Sequence, residues 1–385
     1  MILYISSATS YKIYDQLFGE GYIKGGYQAQ KFNDNIIKGL ALQEKVVAVS
    51  ALPYVNSNHS AIYQNVDGID YHCIKNKRGR FVHKITKIKE LIKEGQKIIR
   101  KERPRIIICD AIIAAVAVAS IKLGKKNDIP VIGIITDVPE KMVGKKMGIT
   151  GRITAKYMKK YDGYILLTEA MNDIVNPKNK PYMIMEGACG TPPELSGNKS
   201  AKKIILYSGS LWKQEAGLEY FTEGFIQANI PNAELHFYGT GAFVEELVEI
   251  SKKHMNVKYM GCITNAEMVK KQTEATLLVN PRPSDAEFCK YSFPSKTFEY
   301  MASGTPVFMT KLPGIPDEYF EYVYTIEEET SEWTCKGLQK ILSNEEGALK
   351  KKGLLAREFV KNNKNYRIQA KKIINFLKEE IVFWE

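Results

Sequence analysis

The sequence lacks the residue patterns that mark disulfide-rich and metal-binding proteins. Its 385 residues include only 6 cysteines and 5 histidines. The cysteines are scattered without a Cys-x-x-Cys pair, and the histidines show no ligand spacing. Isolated thiols are typical of reduced cytosolic proteins, so we expect neither disulfides nor a zinc site. We assign no catalytic role to a histidine.

Long hydrophobic runs are also missing. The most apolar stretch, residues 106–123, is interrupted by Asp110 and Lys122. A membrane-spanning helix needs about 20 predominantly apolar residues, so a strand followed by a buried helix explains this stretch better. The first residues are apolar without a basic leader, which predicts a first strand rather than a signal peptide. We therefore expect a cytoplasmic protein without a membrane-spanning helix.

Acidic residues are scarce in two regions of the first half. Thirteen Lys or Arg accompany three Glu between Lys75 and Arg105, and seven accompany no acid between Lys141 and Lys160. The whole chain carries a formal net charge of +12. Such clustering suggests an anionic partner, which leaves a phospholipid surface, a lipid-linked substrate and a nucleic acid as candidates.

Residues 84–93 have the pattern of a basic amphipathic helix. Isoleucines and leucines recur on one side, and the lysines Lys84, Lys87 and Lys93 fall on the other. A helix of this kind either lies on an anionic membrane or covers a protein core with its apolar side. Both interpretations stay open from the sequence.

Strand-like and helix-like segments alternate along the whole chain. Continuously apolar segments such as 106–108 and 204–206 are typical of strands buried in a parallel sheet. The alternation favours βαβ units, so the predicted fold class is α/β. The length suggests two domains, each a Rossmann-like doubly wound parallel sheet, facing each other across a cleft. Predicted strands are 2–6, 46–51, 106–109, 131–136, 164–168, 182–185, 203–209, 234–238, 257–260, 276–279 and 307–310.

A segment rich in glycine, proline and serine separates the two halves. We predict a first domain at 1–190, a linker at 191–202 and a second domain at 203–365. The C-terminal helix, residues 366–385, is expected to complete the first domain.

The segment from Tyr291 to Val307 predicts a short helix built to hold a nucleotide. Pro294 suits a first helical turn, and Gly304 with Pro306 ends the helix. Free backbone N–H groups at its start would favour a phosphate. Glu299 lies about 7–8 Å along the axis from Pro294, roughly the span from a diphosphate to its ribose, and its carboxylate can accept bonds from a ribose diol.

These residues, with several other short motifs, resemble glycosyltransferase family 4 (group 1), which comprises retaining nucleotide-sugar glycosyltransferases of the GT-B fold. The resemblance covers nearly the whole chain, and residues 290–307 are its most specific part. The matching segments are 25–26, 162–171, 186–187, 207–213, 237–241, 280–282, 291–307 and 312–316.

The resemblance assigns roles to individual residues of the second half. Glu299 would bind the nucleotide ribose, and Gly209 and Gly239 would let the backbone approach the donor. Tyr291 stands where the family has a first Glu, and Ser210 where it often has an Arg. Lys213 and Lys296 would neutralise the leaving diphosphate. The remaining expected donor-binding residues are Glu287, Ser292, Phe293, Pro294 and Ser295, with Gly25 and Gly26 on the acceptor side.

The chemistry implied is sugar transfer with retention. Charge develops on the departing diphosphate, and a lysine at a helix start can stabilise it without a metal, so we expect no metal or other cofactor. Asp137 follows a predicted strand and is a candidate acceptor-side base or sugar ligand; a helix cap is the alternative.

We therefore expect a hexosyltransferase that uses a nucleotide-sugar, UDP-sugar rather than GDP-sugar, and acts on a glycan or lipid-linked acceptor. Its role would be bacterial surface polysaccharide biosynthesis at the inner face of the cell membrane, with the basic first domain as a peripheral anchor. A nucleotide-sugar 2-epimerase of the same fold is the alternative enzyme. A nucleic-acid-binding protein is the non-enzymatic alternative, although no recognition element accompanies the basic runs.

Overall fold

The computed structural model describes residues 1–23, 28–55, 58–76, 82–141, 147–195, 201–212 and 216–381. The chain divides into two compact units. Unit 1 contains Met1–Gly190, Lys290–Ser292 and Tyr366–Glu385, and unit 2 contains Thr191–Cys289 and Phe293–Asn365.

Unit 1 is built on a sheet of eight strands in the order β3-β4-β2-β1-β5-β6-β7-β8. The central strand β1 is completely buried and pairs in parallel with both β2 and β5. The strands are β1 (Ile2–Ser6), β2 (Val46–Ser50), β3 (Ile62–Val66), β4 (Ile69–Cys73), β5 (Ile106–Asp110), β6 (Val131–Ile135), β7 (Gly163–Leu166) and β8 (Tyr182–Ile184).

Strands β3 and β4 form an antiparallel hairpin at one edge of this sheet. Its turn is Asp67-Gly68, and both residues have positive φ, 53° and 82°. An Asp-Gly turn of this kind matches the right-handed twist of the strands it joins. The hairpin is an addition to the parallel arrangement that the sequence predicts.

Among the described residues, six α-helices precede unit 2. They are α1 (Tyr11–Gly19), α2 (Gln28–Ala41), α3 (Val82–Glu102), α4 (Ala114–Asn127), α5 (Ile149–Met158) and α6 (Ala170–Val175). Both α3 and α5 pack against α4. Leu91 on α3 is fully buried, so the apolar side of this helix covers a core.

Unit 2 has a parallel sheet of six strands in the order β11-β10-β9-β12-β13-β14. Its strands are β9 (Lys203–Ser208), β10 (Ala233–Tyr238), β11 (Val257–Tyr259), β12 (Leu277–Asn280), β13 (Val307–Thr310) and β14 (Tyr324–Ile326). Its helices are α7 (Leu218–Ala228), α8 (Val244–Lys253), α9 (Asn265–Glu274), α10 (Ser295–Ala302), α11 (Ser331–Leu342) and α12 (Glu346–Asn363).

The last helix, α13 (Tyr366–Phe376), belongs to unit 1 and packs against α2. Gly39 on α2 permits the close approach, because a Cβ there would lie 2.5 Å from the carbonyl oxygen of Tyr366. Gln369 on α13 donates a hydrogen bond to the carbonyl of Gly187, 2.8 Å away. Helix α13 is thus held both by α2 and by the segment that follows β8.

Each sheet has one place where the strand order reverses. In unit 1 this lies between β1 and β5, and in unit 2 between β9 and β12. Ligands of doubly wound sheets bind at the carboxyl ends of strands at such a switch point. The prediction of an α/β fold with two parallel-sheet domains is confirmed.

Across the described ranges, no helix combines the length and the apolar character that crossing a membrane requires.

Candidate functional site

The switch point of unit 2 brings three of the predicted donor-site residues together. Gly209 directly follows β9, and its amide donates to the carbonyl of Tyr238 at the end of β10, 2.9 Å away. Gly209 has φ of +142° and Gly239 has φ of +136°. A Cβ on Gly239 would collide with the carbonyl oxygen of Gly209, and a Cβ on Gly209 with the ammonium of Lys296. Only glycine allows this close approach of two loops and a lysine.

Lys296 lies in the first turn of α10, and its side chain reaches back to β9. Its Nζ donates to Tyr207 Oη at 2.9 Å and lies 4.2 Å from the centre of that ring. Tyr207 Oη in turn donates to the backbone carbonyl of Ser210, 2.8 Å away. Ser210 itself is exposed. The tyrosine therefore holds both the lysine and the loop that follows the glycine.

Burial and, to a lesser extent, the positive charge of Arg282 together lower the pKa of Lys296 to about 7, whereas Glu299 opposes this shift. A charged ammonium in this place is costly without an anion nearby. Bound phosphate would stabilise the charged form. The position is therefore suited to an anionic ligand.

Helix α10 is fixed against the end of β9 by buried hydrogen bonds. The amide of Ser208 donates to Tyr300 Oη at 2.9 Å, and Tyr300 is fully buried. Two residues further on, at the last residue of the helix, the Arg357 guanidinium donates to the carbonyl of Ala302, 2.6 Å away. Glu299 is half-buried on the same helix. These hydrogen bonds hold α10 in place, and so they fix the position from which the Glu299 side chain extends.

Phe293, Pro294 and Ser295, around the start of α10, differ in which of their groups a donor could contact. Phe293 is buried, with its ring 4.8 Å from that of Phe298 and 5.3 Å from that of Tyr319, so only its backbone is available to a donor. Pro294 is the N-cap residue, and Ser295 is exposed at the first helical position.

The 3₁₀ helix Glu287–Tyr291 leads into this segment. Glu287 is exposed at its start. Tyr291 and Ser292 group with unit 1, where the Lys141 ammonium lies 5.5 Å from the Tyr291 ring. The Ser292 hydroxyl is buried and has no hydrogen-bond partner among the described residues.

The switch point of unit 1 holds a second polar cluster, which the sequence indicated only through Asp137. Asp110 ends β5 and is almost completely buried. It accepts long hydrogen bonds from the amide of Ile112 at 3.4 Å and from Asn33 Nδ2 at 3.3 Å. Burial raises the pKa of Asp110 to about 6, and the charge of nearby Asp137 adds to this effect.

Asp137 itself follows β6 and is half-buried, and its carboxylate accepts a hydrogen bond from the Thr136 hydroxyl at 3.3 Å. Sequence reasoning missed Asp110, treating it only as an interruption of an apolar run. The available signal was its place at the carboxyl end of a strand.

Three predicted site residues, Gly25, Gly26 and Lys213, lie outside the described residues. Within the described part of the chain, no three or more His, Cys, Asp or Glu side chains are grouped to hold a metal ion.

The structure contradicts the expectation that Lys87 is part of an exposed basic face on α3. The ammonium of Lys87 donates to the carbonyl of Leu52 at 3.0 Å, and burial lowers its pKa to about 8. Lys87 therefore does not belong to an exposed basic face, because α3 turns this side toward the protein. Lys89 and Lys93 remain exposed on the same helix.

Comparison with known proteins bears on the second unit and on the fold. Residues 202–344 match the family model described as Glycosyl transferases group 1. No curated protein matches the sequence.

Several solved structures are similar to the whole chain. Sucrose-phosphate synthase from Thermosynechococcus elongatus is 14% identical with a TM-score of 0.71, and the match covers 98% of each chain. A trehalose-6-phosphate synthase from E. coli, bound with UDP-2-fluoro glucose, is 10% identical with a TM-score of 0.69 over 99% of this chain and 100% of that one.

A mutant of S. aureus TarM, in complex with Fondaparinux, alpha-GlcNAc-glycerol and UDP, is 17% identical with a TM-score of 0.57. That match covers 75% of this chain and 58% of the other. At these identities the likeness concerns the fold, which is that of GT-B glycosyltransferases.

Proposed function

We propose that the protein is a retaining glycosyltransferase, because residues 202–344 match the family model described as Glycosyl transferases group 1 and the fold is similar to that of GT-B glycosyltransferases. It transfers a hexose from a UDP-sugar to a glycan acceptor carried on a lipid, in surface polysaccharide biosynthesis. The observation that carries the proposal is the position of Lys296, whose ammonium lies against Gly209 at the switch point of unit 2. Positive charge beside a bare backbone turn suits a diphosphate.

The choice of donor is supported by the ligands of the similar structures. The E. coli protein is bound with UDP-2-fluoro glucose, and the TarM complex contains UDP. Both have the fold of this chain, in which unit 2 offers a lysine and two glycines at the strand ends. We therefore place a UDP-sugar in unit 2.

In the proposed reaction, the bond between the anomeric carbon of the sugar and the diphosphate oxygen breaks. The electron pair leaves with the phosphate, and the charged form of Lys296 stabilises it. Glu299 accepts hydrogen bonds from the ribose hydroxyls and fixes the nucleotide along α10. The acceptor hydroxyl forms the new bond to the anomeric carbon, and its proton passes to the leaving phosphate. The lysine supplies the neutralising charge, so the proposal requires no metal.

For the acceptor we propose the polar cluster of unit 1. Asp110 is the last residue of β5, at the switch point of that sheet, and Asp137 lies two residues beyond the end of the neighbouring strand β6. Carboxylates accept hydrogen bonds from sugar hydroxyls, and the three long bonds that Asp110 accepts within the protein, from Ile112, Asn33 and Ser7, leave part of its capacity of about four unused. Truncation of either aspartate should therefore raise the KM of the acceptor more than that of the donor.

We also propose that unit 1 binds the surface of an anionic membrane, through α5. Ile149 is 76% exposed and Ile153 is 38% exposed on this helix, and Arg152 and Lys156 are exposed beside them. Apolar side chains bordered by cations are the pattern of helices that lie in the headgroup region of anionic bilayers. This surface replaces the one expected around Lys87.

The function is tested by incubating the protein with UDP-sugars and GDP-sugars, each with and without a lipid extract that contains acceptors. We expect release of UDP that depends on the extract and persists in EDTA, with an α-linked product from an α-linked donor. Interconversion of the nucleotide-sugar without transfer would instead identify a 2-epimerase. Binding of nucleic acid without turnover of any donor would overturn the enzyme proposal.

A further inference from the structure

The loop after β12 is anchored at the switch point of unit 2. The carbonyl of Pro281 accepts a hydrogen bond from Tyr220 Oη at 2.6 Å. The backbone of Gly217, with φ of +62°, lies so close to this carbonyl that a Cβ there would collide with it. The amide of Ser284 donates to Glu329 Oε1 at 2.8 Å. Arg282, between these anchors, therefore starts from a fixed backbone.

The side chain of Arg282 is also positioned. Its guanidinium carbon lies 4.4 Å from the centre of the Phe288 ring, a stacking arrangement that arginine favours. Its charge is near enough to Lys296 to lower the pKa of that ammonium. The charge of Glu299 raises the pKa of Lys296. Burial raises the pKa of the nearby Cys289 thiol; the charge of Arg282 opposes this increase, whereas Asp285 and Glu329 add to it. Within the described ranges, neither Arg282 nor Lys296 forms an ion pair at 4.0 Å or less.

A buried amide at the same strand end is a second, independent observation. Asn280 is the last residue of β12 and is 4% exposed. Its Nδ2 atom has no hydrogen-bond partner among the residues that the structure describes. A buried donor without a partner is rare in native proteins and calls for an acceptor from elsewhere. A ligand oxygen at the switch point would satisfy it.

We propose that Arg282 is a second phosphate-binding cation of the donor site, which holds the diphosphate together with Lys296. It does the work of the arginine that the resemblance leads one to expect where Ser210 stands. The two cations repel each other, and a diphosphate between them would neutralise both. This inference rests on the proposed function, because it names the residues that bind the donor.

The test measures binding of UDP, inorganic pyrophosphate and uridine to the full chain by calorimetry. Arg282→Gln should weaken UDP and pyrophosphate binding by about tenfold to a hundredfold and leave uridine unchanged, since a charged hydrogen bond is lost. Arg282→Lys should recover part of the loss. Lys336→Gln is the matched control, because Lys336 is 72% exposed on α11. The melting temperature without ligand shows whether each variant is folded.

A second measurement separates phosphate binding from a structural role. The affinity for UDP-glucose, whose diphosphate does not titrate near neutrality, should fall as pH rises through the pKa of Lys296, about 7. In Arg282→Gln this fall should move to higher pH, because the repulsion that lowers the lysine pKa is gone. A loss of affinity that persists well below pH 7, where Lys296 is charged in both proteins, comes from the contact of Arg282 with phosphate itself.

If wild type and Arg282→Gln bind UDP with affinities within about twofold of each other, and the same holds for pyrophosphate, the role proposed for Arg282 is overturned. The proposed function is not affected by that result. Binding of pyrophosphate but of neither UDP nor GDP by the wild type would overturn the proposed function, and the variant would still decide the role of Arg282. Failure of the wild type to bind any of them would overturn both.

Discussion

Burial makes the ionisation of Lys296 respond to pH in the range where enzymes work. Its pKa is about 7 in the folded chain against 10.5 for an ordinary lysine. Below pH 7 the lysine is charged in both the folded and the unfolded chain, so the folded chain bears the full cost of burying the charge. Between pH 7 and 10.5 the unfolded chain binds a proton that the folded chain does not. The free energy of unfolding therefore rises with pH through this window.

The first prediction is that Lys296→Met stabilises the ligand-free protein most strongly at low pH. Methionine fills similar space without a charge, so the gain in melting temperature should be largest below pH 7 and shrink toward pH 10. Differential scanning calorimetry across this range measures it. Lys336→Met serves as the control, since that exposed lysine should give no gain at low pH. A gain that stays constant with pH would contradict the assigned burial of the charge.

The same lysine should matter more for turnover than for donor binding. The charge on the leaving phosphate grows in the transition state, so Lys296→Ala is expected to lower kcat by a larger factor than it raises the donor KM. Steady-state kinetics with the donor found by the release assay gives both numbers. Equal losses, or none, would make Lys296 a lysine that only supports the structure of α10.

Glu299 is expected to bind the ribose of the nucleotide rather than its phosphates. Glu299→Gln should weaken UDP binding by about tenfold to a hundredfold, since hydrogen bonds to a charged group contribute roughly 1.5–3 kcal/mol. The melting temperature should barely change, because the side chain is half-buried at the surface of α10. Glu223→Gln, an exposed change on α7, is the control. Calorimetric affinities within about twofold of each other for wild type and Glu299→Gln would remove the ribose assignment.

At the scale of whole elements, the contact between α2 and α13 tests how unit 1 is closed. In Gly39→Ala the new methyl would meet the Tyr366 carbonyl and the Ala370 side chain, at 2.5 and 2.8 Å. We expect a loss of about 1–3 kcal/mol in the free energy of unfolding, despite the better helix propensity of alanine.

The matched control is Gly347→Ala on α12, where a Cβ meets no heavy atom within 4 Å. It should be neutral or slightly stabilising, because only the propensity term remains. Urea denaturation of both variants provides the comparison. Stabilisation by both changes would mean that α13 does not press on α2 as the structure has it.

At the scale of the molecule, membrane binding and nucleotide binding are assigned to different units. Replacing Ile149 and Ile153 with serine and reversing Arg152 and Lys156 to glutamate should abolish binding to vesicles rich in anionic lipid. Each basic residue near such a surface contributes about 1 kcal/mol, so the charge reversal alone costs several. Vesicle cosedimentation at low salt measures this, and UDP affinity should remain that of the wild type.

Val248→Ser on α8 is the control for the apolar change, because Val248 is also 38% exposed but lies in unit 2. It should leave vesicle binding intact. Persistent binding by the α5 variant would exclude this helix as the membrane surface. Loss of UDP affinity in the same variant would show that the two activities are not separate.

The alternation of apolar segments was enough to predict the class of fold and most of its strands. Buried parallel strands are continuously apolar, so the segments around Ile106 and Ile204 stand out in the sequence. The hairpin of β3 and β4 was missed although Asp67-Gly68 is a strong turn signal, because its strands are polar on one side. Strand β14, of three residues, was also missed.

The sequence by itself determined the alternating elements and the order of the glycines, Lys296 and Glu299 along the chain, because local spacing and composition control these features. Only the tertiary structure decided that Arg282 acts on Lys296, that Asp110 is buried beside Asp137, and that Lys87 faces inward. These relations join residues far apart in sequence, and they depend on which strands become neighbours at a switch point. Strand order is selected by packing of the whole sheet, which no single segment encodes.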